Sequence, residues 1–284
     1  MTSKPIDPPG RSLPGAGMTV TVRLFAILRE RAGGDRVELE LPDGATVADA
    51  LEALSKIPTL EGLLARIPVQ MAVNRDYASP ETVLSRNDEL ALIPPLSGGD
   101  ASADPYPSPG ASAHPGQVVE PAANISETGA RVHVSVTAEP LSLGSVSRAV
   151  SDPRAGAIVS FQGVTRVVDH LDYEAYHEMA GERIALILTE CAARHGLCAA
   201  AAEHRTGPVA LGEPSVIVAA SAPHRIEAFA GAHEIIDRIK AEAPIWKREV
   251  DASGVSRPVA GTPAPGAGVR SATATDTVHE QPRG

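Results

Sequence analysis

The sequence is short of aromatic side chains, of cysteine, of uninterrupted apolar runs and of net positive charge, and each shortage excludes something. Three Phe, four Tyr and one Trp stand against 25 Gly and 25 Pro in 284 residues, a balance that points to long irregular segments rather than to one continuous core. The two cysteines, Cys191 and Cys198, lie seven apart in what reads as a helix and match no metal-ligand or redox spacing. They read as small packing residues, and no metal site is expected. The formal net charge of -10 argues against binding to nucleic acid, whose phosphates demand clustered Lys and Arg. Any anionic ligand must therefore sit in a local basic pocket. Residues 1–17 have scattered prolines and no continuous apolar run, so neither a secretory signal nor a membrane span is expected, and a cytoplasmic location follows.

Two stretches show periodic patterning. In the first, Val20, Val22 and Leu24 alternate with Thr21, Arg23 and Phe25, and Val37, Leu39 and Leu41 alternate with Arg36, Glu38 and Glu40 after Gly33-Gly34, which predicts a β-hairpin. Thr46 and Asp49 form a capping-box pattern before a helix carrying Val47, Leu51 and Leu54, and short strands follow near 70–74 and 89–93. The order ββαββ in about eighty residues suits a ubiquitin-like β-grasp with one small core. The second stretch opens with Val132, Val134 and Val136, continues with an apolar run over 155–161 that fits a more buried strand, and adds strands near 199–205 and 215–220. Helix-period segments cover 179–195, stopped by Gly196, and 224–243, stopped by Pro244. The fold class is therefore α+β in two modules. We expect disorder over 1–17, a β-grasp domain over 18–99, a proline-rich disordered linker over 100–130, a second α+β domain over 131–257 and a disordered tail over 258–284.

The exit from the first module, Ile93-Pro94-Pro95-Leu96-Ser97-Gly98-Gly99, carries a distinctive chemistry. Two prolines hold it extended and two glycines strip side-chain bulk from its tip. Such a tip can enter a narrow tunnel and present a main-chain carboxyl group to buried chemistry; taken alone, it can equally be a plain interdomain loop. With Arg23-Leu24-Phe25-Ala26 at the other end, the segment from Met18 to Gly99 resembles the small subunit of molybdopterin synthase (MoaD-like). The resemblance implies a carrier whose terminal glycine carboxylate is adenylated by an activating enzyme and converted to a sulfur-donating thiocarboxylate. Here Gly99 is followed by Asp100, and an amide cannot be adenylated as a carboxylate can, so the chain is expected to be cut after Gly99.

In the second module, Lys240-Ala241-Glu242-Ala243-Pro244-Ile245-Trp246-Lys247-Arg248-Glu249 places two lysines around a helix-ending proline and the single tryptophan. Partial burial and neighbouring cations favour a neutral amine, able to act as nucleophile or base; the alternative is a solvated helix end facing the helix dipole. Ser221-Ala222-Pro223-His224-Arg225 marks a helix start suited to an anion, and Arg166 and the pair His204-Arg205 are further cationic candidates at strand ends. Together with Phe161-x-Gly163-x-x-Arg166 and Tyr173-Glu174-x-Tyr176, these segments resemble the large, catalytic subunit of molybdopterin synthase (MoaE-like) from about Val132 to Val250.

The resemblance implies a sulfurtransferase acting on cyclic pyranopterin monophosphate, with Lys240, Lys247 and the freed Gly99 as catalytic groups. It also implies that Arg166, His224 and Arg225 hold the pterin phosphate. The remaining expectations are no tightly bound cofactor, ATP consumed by the activating enzyme, and a homodimer through the catalytic module. Two other readings stand beside it: a non-catalytic β-grasp and pterin-binding scaffold, and a sulfur carrier for another pathway such as thiazole synthesis.

Overall fold

The computed structural model describes residues 17–95 and 129–250 throughout, and the backbone alone at 124–125 and 256–258. The Gly98-Gly99 tip and most of the expected linker and tail lie outside the described residues. In the first module the elements are β1 (Met18–Leu24), α1 (Ala26–Ala32), β2 (Arg36–Leu41), α2 (Val47–Ser55), β3 (Gln70–Val73), β4 (Asp76–Ala78) and β5 (Glu89–Ile93). The sheet order is β2-β1-β5-β3-β4, with β1 parallel to β5 and antiparallel to β2. The Thr46 and Asp49 capping box forms, and Val47, Ala50 and Leu54 bury the inner face of α2. The expected hairpin needs correction: β1 and β2 pair antiparallel, but α1 lies between them. Gly33 ends that helix in the left-handed region at φ 75°, which glycine adopts without steric cost.

The second module contains β6 (Asn124–Ile125), β7 (Arg131–Thr137), α3 (Leu143–Ala149), β8 (Ala157–Val164), β9 (His170–Ala175), α4 (His177–His195), β10 (Ala199–Arg205), β11 (Gly207–Ala210), β12 (Pro214–Ala222), α5 (Arg225–Glu242), β13 (Ile245–Val250) and β14 (Ser256–Pro258). One sheet runs β6-β7-β10-β12-β8 and a smaller one runs β11-β9-β13-β14. Helices α4 and α5 pack on one face of the larger sheet, over Ala200, Ala202, Val216, Val218 and Ala220. Helix α3 covers the other, over Ala199, Ala201, Ile217 and Ala219. A strand covered on both faces is apolar throughout, which accounts for the run of four alanines opening β10.

Three further expectations change. Among the described residues strand β8 is an edge strand paired only with β12, and its residues alternate between half-buried and exposed, with Ile158 47% exposed; the apolar run over 155–161 is not a buried strand within one chain. Cys191 lies in α4, whereas Cys198 follows the left-handed Gly196 that ends this helix, so the two do not share it. Strands β6 and β14 fall inside or at the edge of segments expected to lack regular structure.

Candidate active site

The lysine motif folds as a helix end, a proline turn and a strand. Helix α5 carries Lys240, Pro244 prevents its continuation, and β13 carries Lys247. Both lysines line one cavity of about 670 Å³ with Arg166, Tyr173, His204, Ser215, Glu249 and an apolar wall of Ile236, Ile239 and Ile245. Lys240 Nζ stands 5.5 Å from the centre of the Phe161 ring, a cation-π distance. Burial holds the Lys247 amine below its ordinary range, and the Lys240 and Arg166 charges push it further the same way, against an opposing pull from Glu249. Burial and neighbouring cations thus both favour the neutral form of the Lys247 amine.

His204 and Arg205 do not behave as two free cations. His204, 7% exposed, donates from Nδ1 to the Arg205 carbonyl at 2.9 Å, and burial lowers its pKa to about 4. The ring is therefore neutral, with Nε2 as its lone-pair nitrogen. Its edge meets the Tyr173 ring at 5.2 Å, and the Tyr173 hydroxyl donates to Ser215 Oγ, which donates to the Gly163 carbonyl. The Arg205 guanidinium is engaged by Glu213 at 2.7 Å. The basic Lys240, Lys247 and Arg166 thus share the cavity with Glu249 and with the neutral polar groups of Tyr173, His204 and Ser215. Tyr173 belongs to the Tyr173-Glu174-x-Tyr176 motif but has no site role assigned from sequence, and Ser215 lies in no motif; the fold brings both to the lysines.

Arg166 sits in the loop after β8, next to Val167 at φ 72°. A β-branched residue in that region stores strain of order 1–3 kcal/mol. His224 and Arg225 lie elsewhere. His224 is the N-cap of α5 and Lys240 is in its last turn, so sixteen residues at 1.5 Å each put them about 24 Å apart. Within one chain these two do not join the lysines.

The first module is seated on the opposite face of β13. Phe25 stacks between Tyr176 and Trp246, with ring centres at 5.0 and 5.1 Å, and Ala72, Ala91, Ile93 and Met179 complete the apolar seam. Trp246 Nε1 donates to the Pro94 carbonyl at 3.1 Å, which fixes the start of the glycine tail against the strand that bears Lys247. From Pro94 to Gly99 are five residues, about 17 Å of extended reach. Around the seam, arginines of the first module meet a row of glutamates: Arg29 with Glu174 at 2.9 Å, Arg23 with Glu178 at 3.8 Å and Arg75 with Glu182 at 2.7 Å. Arg248 pairs in the reverse sense with Glu30, and the Tyr176 hydroxyl donates to Glu89. Such partly exposed pairs set register and orientation more than they add energy; the stacked rings supply the burial. Four of the eight aromatic residues, Phe25, Tyr77, Tyr176 and Trp246, lie in this seam, so the scarcity of rings was itself an unused signal.

The buried thiols are set apart from this site. Cys191 and Cys198 are free, and burial pushes Cys191 up to about 11. Among the described residues no group of His, Cys, Asp and Glu could hold a metal, and no helix is long and apolar enough to cross a membrane.

Residues 136–242 match the family model of MoaE protein, and residues 22–99 match that of the ThiS family. A molybdopterin synthase catalytic subunit of Oryza sativa subsp. indica is 50% identical over 107 residues, 36% of this chain and 55% of that protein; the chain thus spans about half the length of this relative. Catalytic subunit 1 from Mycobacterium tuberculosis is 39% identical over 138 residues, 46% of this chain and 94% of the relative. Among solved structures, molybdopterin synthase from Staphylococcus aureus is 32% identical, covering 43% of this chain and 93% of that one with a TM-score of 0.41. SAMP1 from Haloferax volcanii is 34% identical, covering 28% and 99% with a TM-score of 0.26. The lysine motif, the carrier seated beside it and near-complete coverage of the mycobacterial relative lead to one statement: the chain belongs to the MoaE family of molybdopterin synthase catalytic subunits, fused behind a ThiS-family module.

Proposed function

We propose that the chain is a molybdopterin synthase of molybdenum cofactor biosynthesis that contains both its sulfur carrier and its catalytic module, with limits near 18–99 and 131–257. The observation that carries this reading is β13: Lys247 points into the cavity shared with Lys240 and Arg166, while the adjacent Trp246 holds the carrier at Pro94. Cleavage after Gly99 frees a carboxylate, and an activating enzyme spends ATP to replace one oxygen by sulfur. The thiocarboxylate sulfur then forms a C–S bond at a side-chain carbon of cyclic pyranopterin monophosphate as the C–O bond of that carbon breaks, the oxygen leaving as water or with the phosphate. The acyl carbon–sulfur bond breaks as water takes the acyl group, directly or after the Lys240 amine has held it as an amide that water then hydrolyses, and the Gly99 carboxylate is regenerated. Lys247 moves the proton. Two sulfurs in the dithiolene require two carriers.

Arg166 receives the substrate phosphate from its own chain. His224 and Arg225, about 24 Å from Lys240 along α5, can serve the phosphate only from a second copy, which makes a homodimer part of the proposal. Ile226 and Phe229, 71% and 62% exposed beside that helix start, offer an apolar face for it. The experiment is intact-mass analysis of protein from its native host and after incubation with an activating enzyme, ATP and a sulfur source. A fragment ending at Gly99 that exchanges one oxygen for sulfur is expected. An active enzyme with an uncut Gly99-Asp100 bond would remove the cleavage step, and absence of any thiocarboxylate would favour a scaffold without catalysis.

A further inference from the structure

We propose that Tyr77 of the carrier is a positioning residue for the lysine pocket, because its hydroxyl caps the end of the helix that bears Lys240. The proposal rests on the catalytic reading of the two lysines given above.

The last carbonyls of a helix have no partner within it, and at the end of α5 the chain must find partners across the Pro244 turn. The Ala243 amide closes on Ile239 O at 3.0 Å, Ala243 O accepts from the Ile245 amide at 2.7 Å, and Pro244 O accepts from the Tyr176 amide at 3.1 Å. The Glu242 carbonyl accepts instead from the Tyr77 hydroxyl at 3.2 Å, a donor supplied by the other module. The Glu242 carboxylate is gripped by Arg183 and Arg238 from the catalytic module itself. One residue is therefore held by its side chain from within and by its main chain from the carrier, two positions after Lys240. The side chain of Lys240 is exposed, so its place over Phe161 depends on where the helix end is fixed.

The carrier is built to deliver this hydroxyl in one place. Strands β3 and β4 are joined by Asn74 and Arg75 at φ 52° and 78°, the mirror-type two-residue turn that matches strand twist. Asn74 is tied down on both sides, donating to Asp88 at 2.9 Å and accepting from the Glu89 amide at 3.0 Å. Arg75 at the turn reaches Glu182 on α4, and the Tyr77 ring packs into the aromatic seam. Burial raises the Tyr77 pKa, which keeps the phenol protonated and donating. A free catalytic module lacks this cap, so the lysine pair reaches its working geometry only with a carrier in place, and by linkage a ligand that fixes the pair tightens carrier docking.

The test compares the intact wild-type chain with Tyr77→Phe and Arg75→Ala, without substrate. Two readouts are used: amide exchange of peptides spanning 239–246, with α4 peptides as the folding control, and the pH dependence of Lys247 acylation by a small amine reagent, mapped by mass spectrometry. Tyr77→Phe is expected to speed exchange at 239–246 about five-fold, the worth of one hydrogen bond. It is also expected to move the Lys247 curve to higher pH as Lys240 drifts away, with α4 unchanged. Arg75→Ala, which removes one rim ion pair worth less than about 1 kcal/mol and leaves the carrier seated by its aromatic seam, is expected to do neither. Unchanged exchange and labelling in Tyr77→Phe, or equal shifts in Arg75→Ala, would overturn the proposal. An ordinary lysine curve for Lys247 in the wild type would count against the catalytic reading instead, while the exchange data would still decide the cap.

Discussion

The two faces of β13 differ in almost everything except sequence position. Ile245, Lys247 and Glu249 line the cavity, where Lys240 and Arg166 repel Lys247 and burial withholds water from it. Trp246 and Arg248 face the carrier, where a stacked ring and an oppositely charged partner meet them. Alternation along a strand puts successive side chains on opposite faces, so one six-residue strand keeps like-charged chemistry and complementary recognition a backbone apart. Electrostatic conflict on one side is supported by packing on the other. Chemistry and docking should therefore fail separately when single residues are changed.

The largest effect is expected on the cavity side. Lys240→Ala should lower product formation by about 100-fold or more while carrier affinity stays at the wild-type value; near-normal turnover would remove Lys240 from the mechanism. His204, also on that side, should shape stability. Its folded pKa of about 4 lies below the ordinary 6.5, so the unfolded chain binds the extra proton between those values. The contribution is complete above pH 6.5 and is lost as pH falls toward 4, on the order of 3 kcal/mol. Thermal unfolding across that window should be flatter in His204→Gln, and an unaltered slope would show that the ring is not held neutral. On the docking side, Trp246→Ala removes the stack on Phe25 and the bond to Pro94, and a hot-spot loss of about 2 kcal/mol should weaken carrier retention about 30-fold, read after cleavage at Gly99. The smallest change is expected at the rim: Glu182→Ala breaks the Arg75 pair for less than about 1 kcal/mol, an effect that should shrink further with added salt.

The sequence made the fold class and the lysine site legible where local chemistry repeats or punctuates. The Thr46 capping box, Gly196 and Pro244 each set an element boundary that depends on neighbours in sequence alone. Helix α1 escaped because seven residues, three of them charged, are too short for a helical period to register, and β9 and β13 escaped because their pairing joins segments about seventy residues apart. Lys240 and Lys247 flank a helix-ending proline, but their expected role came from the family resemblance, and the neutral His204 was taken for a cation because burial is a tertiary property. His224 and Arg225 were grouped with the lysines by resemblance, and the length of α5 separates them in a single chain.

Lys247 and Arg248 are neighbours in sequence on opposite faces, and titrating each variant with thiocarboxylated carrier while following dithiolene formation tests the account most directly. Arg248→Ala should need more carrier for half-maximal rate and still reach the wild-type plateau, whereas Lys247→Ala should saturate at the wild-type carrier concentration with a plateau lowered about 100-fold. The same kind of defect in both variants would contradict the division of labour across β13.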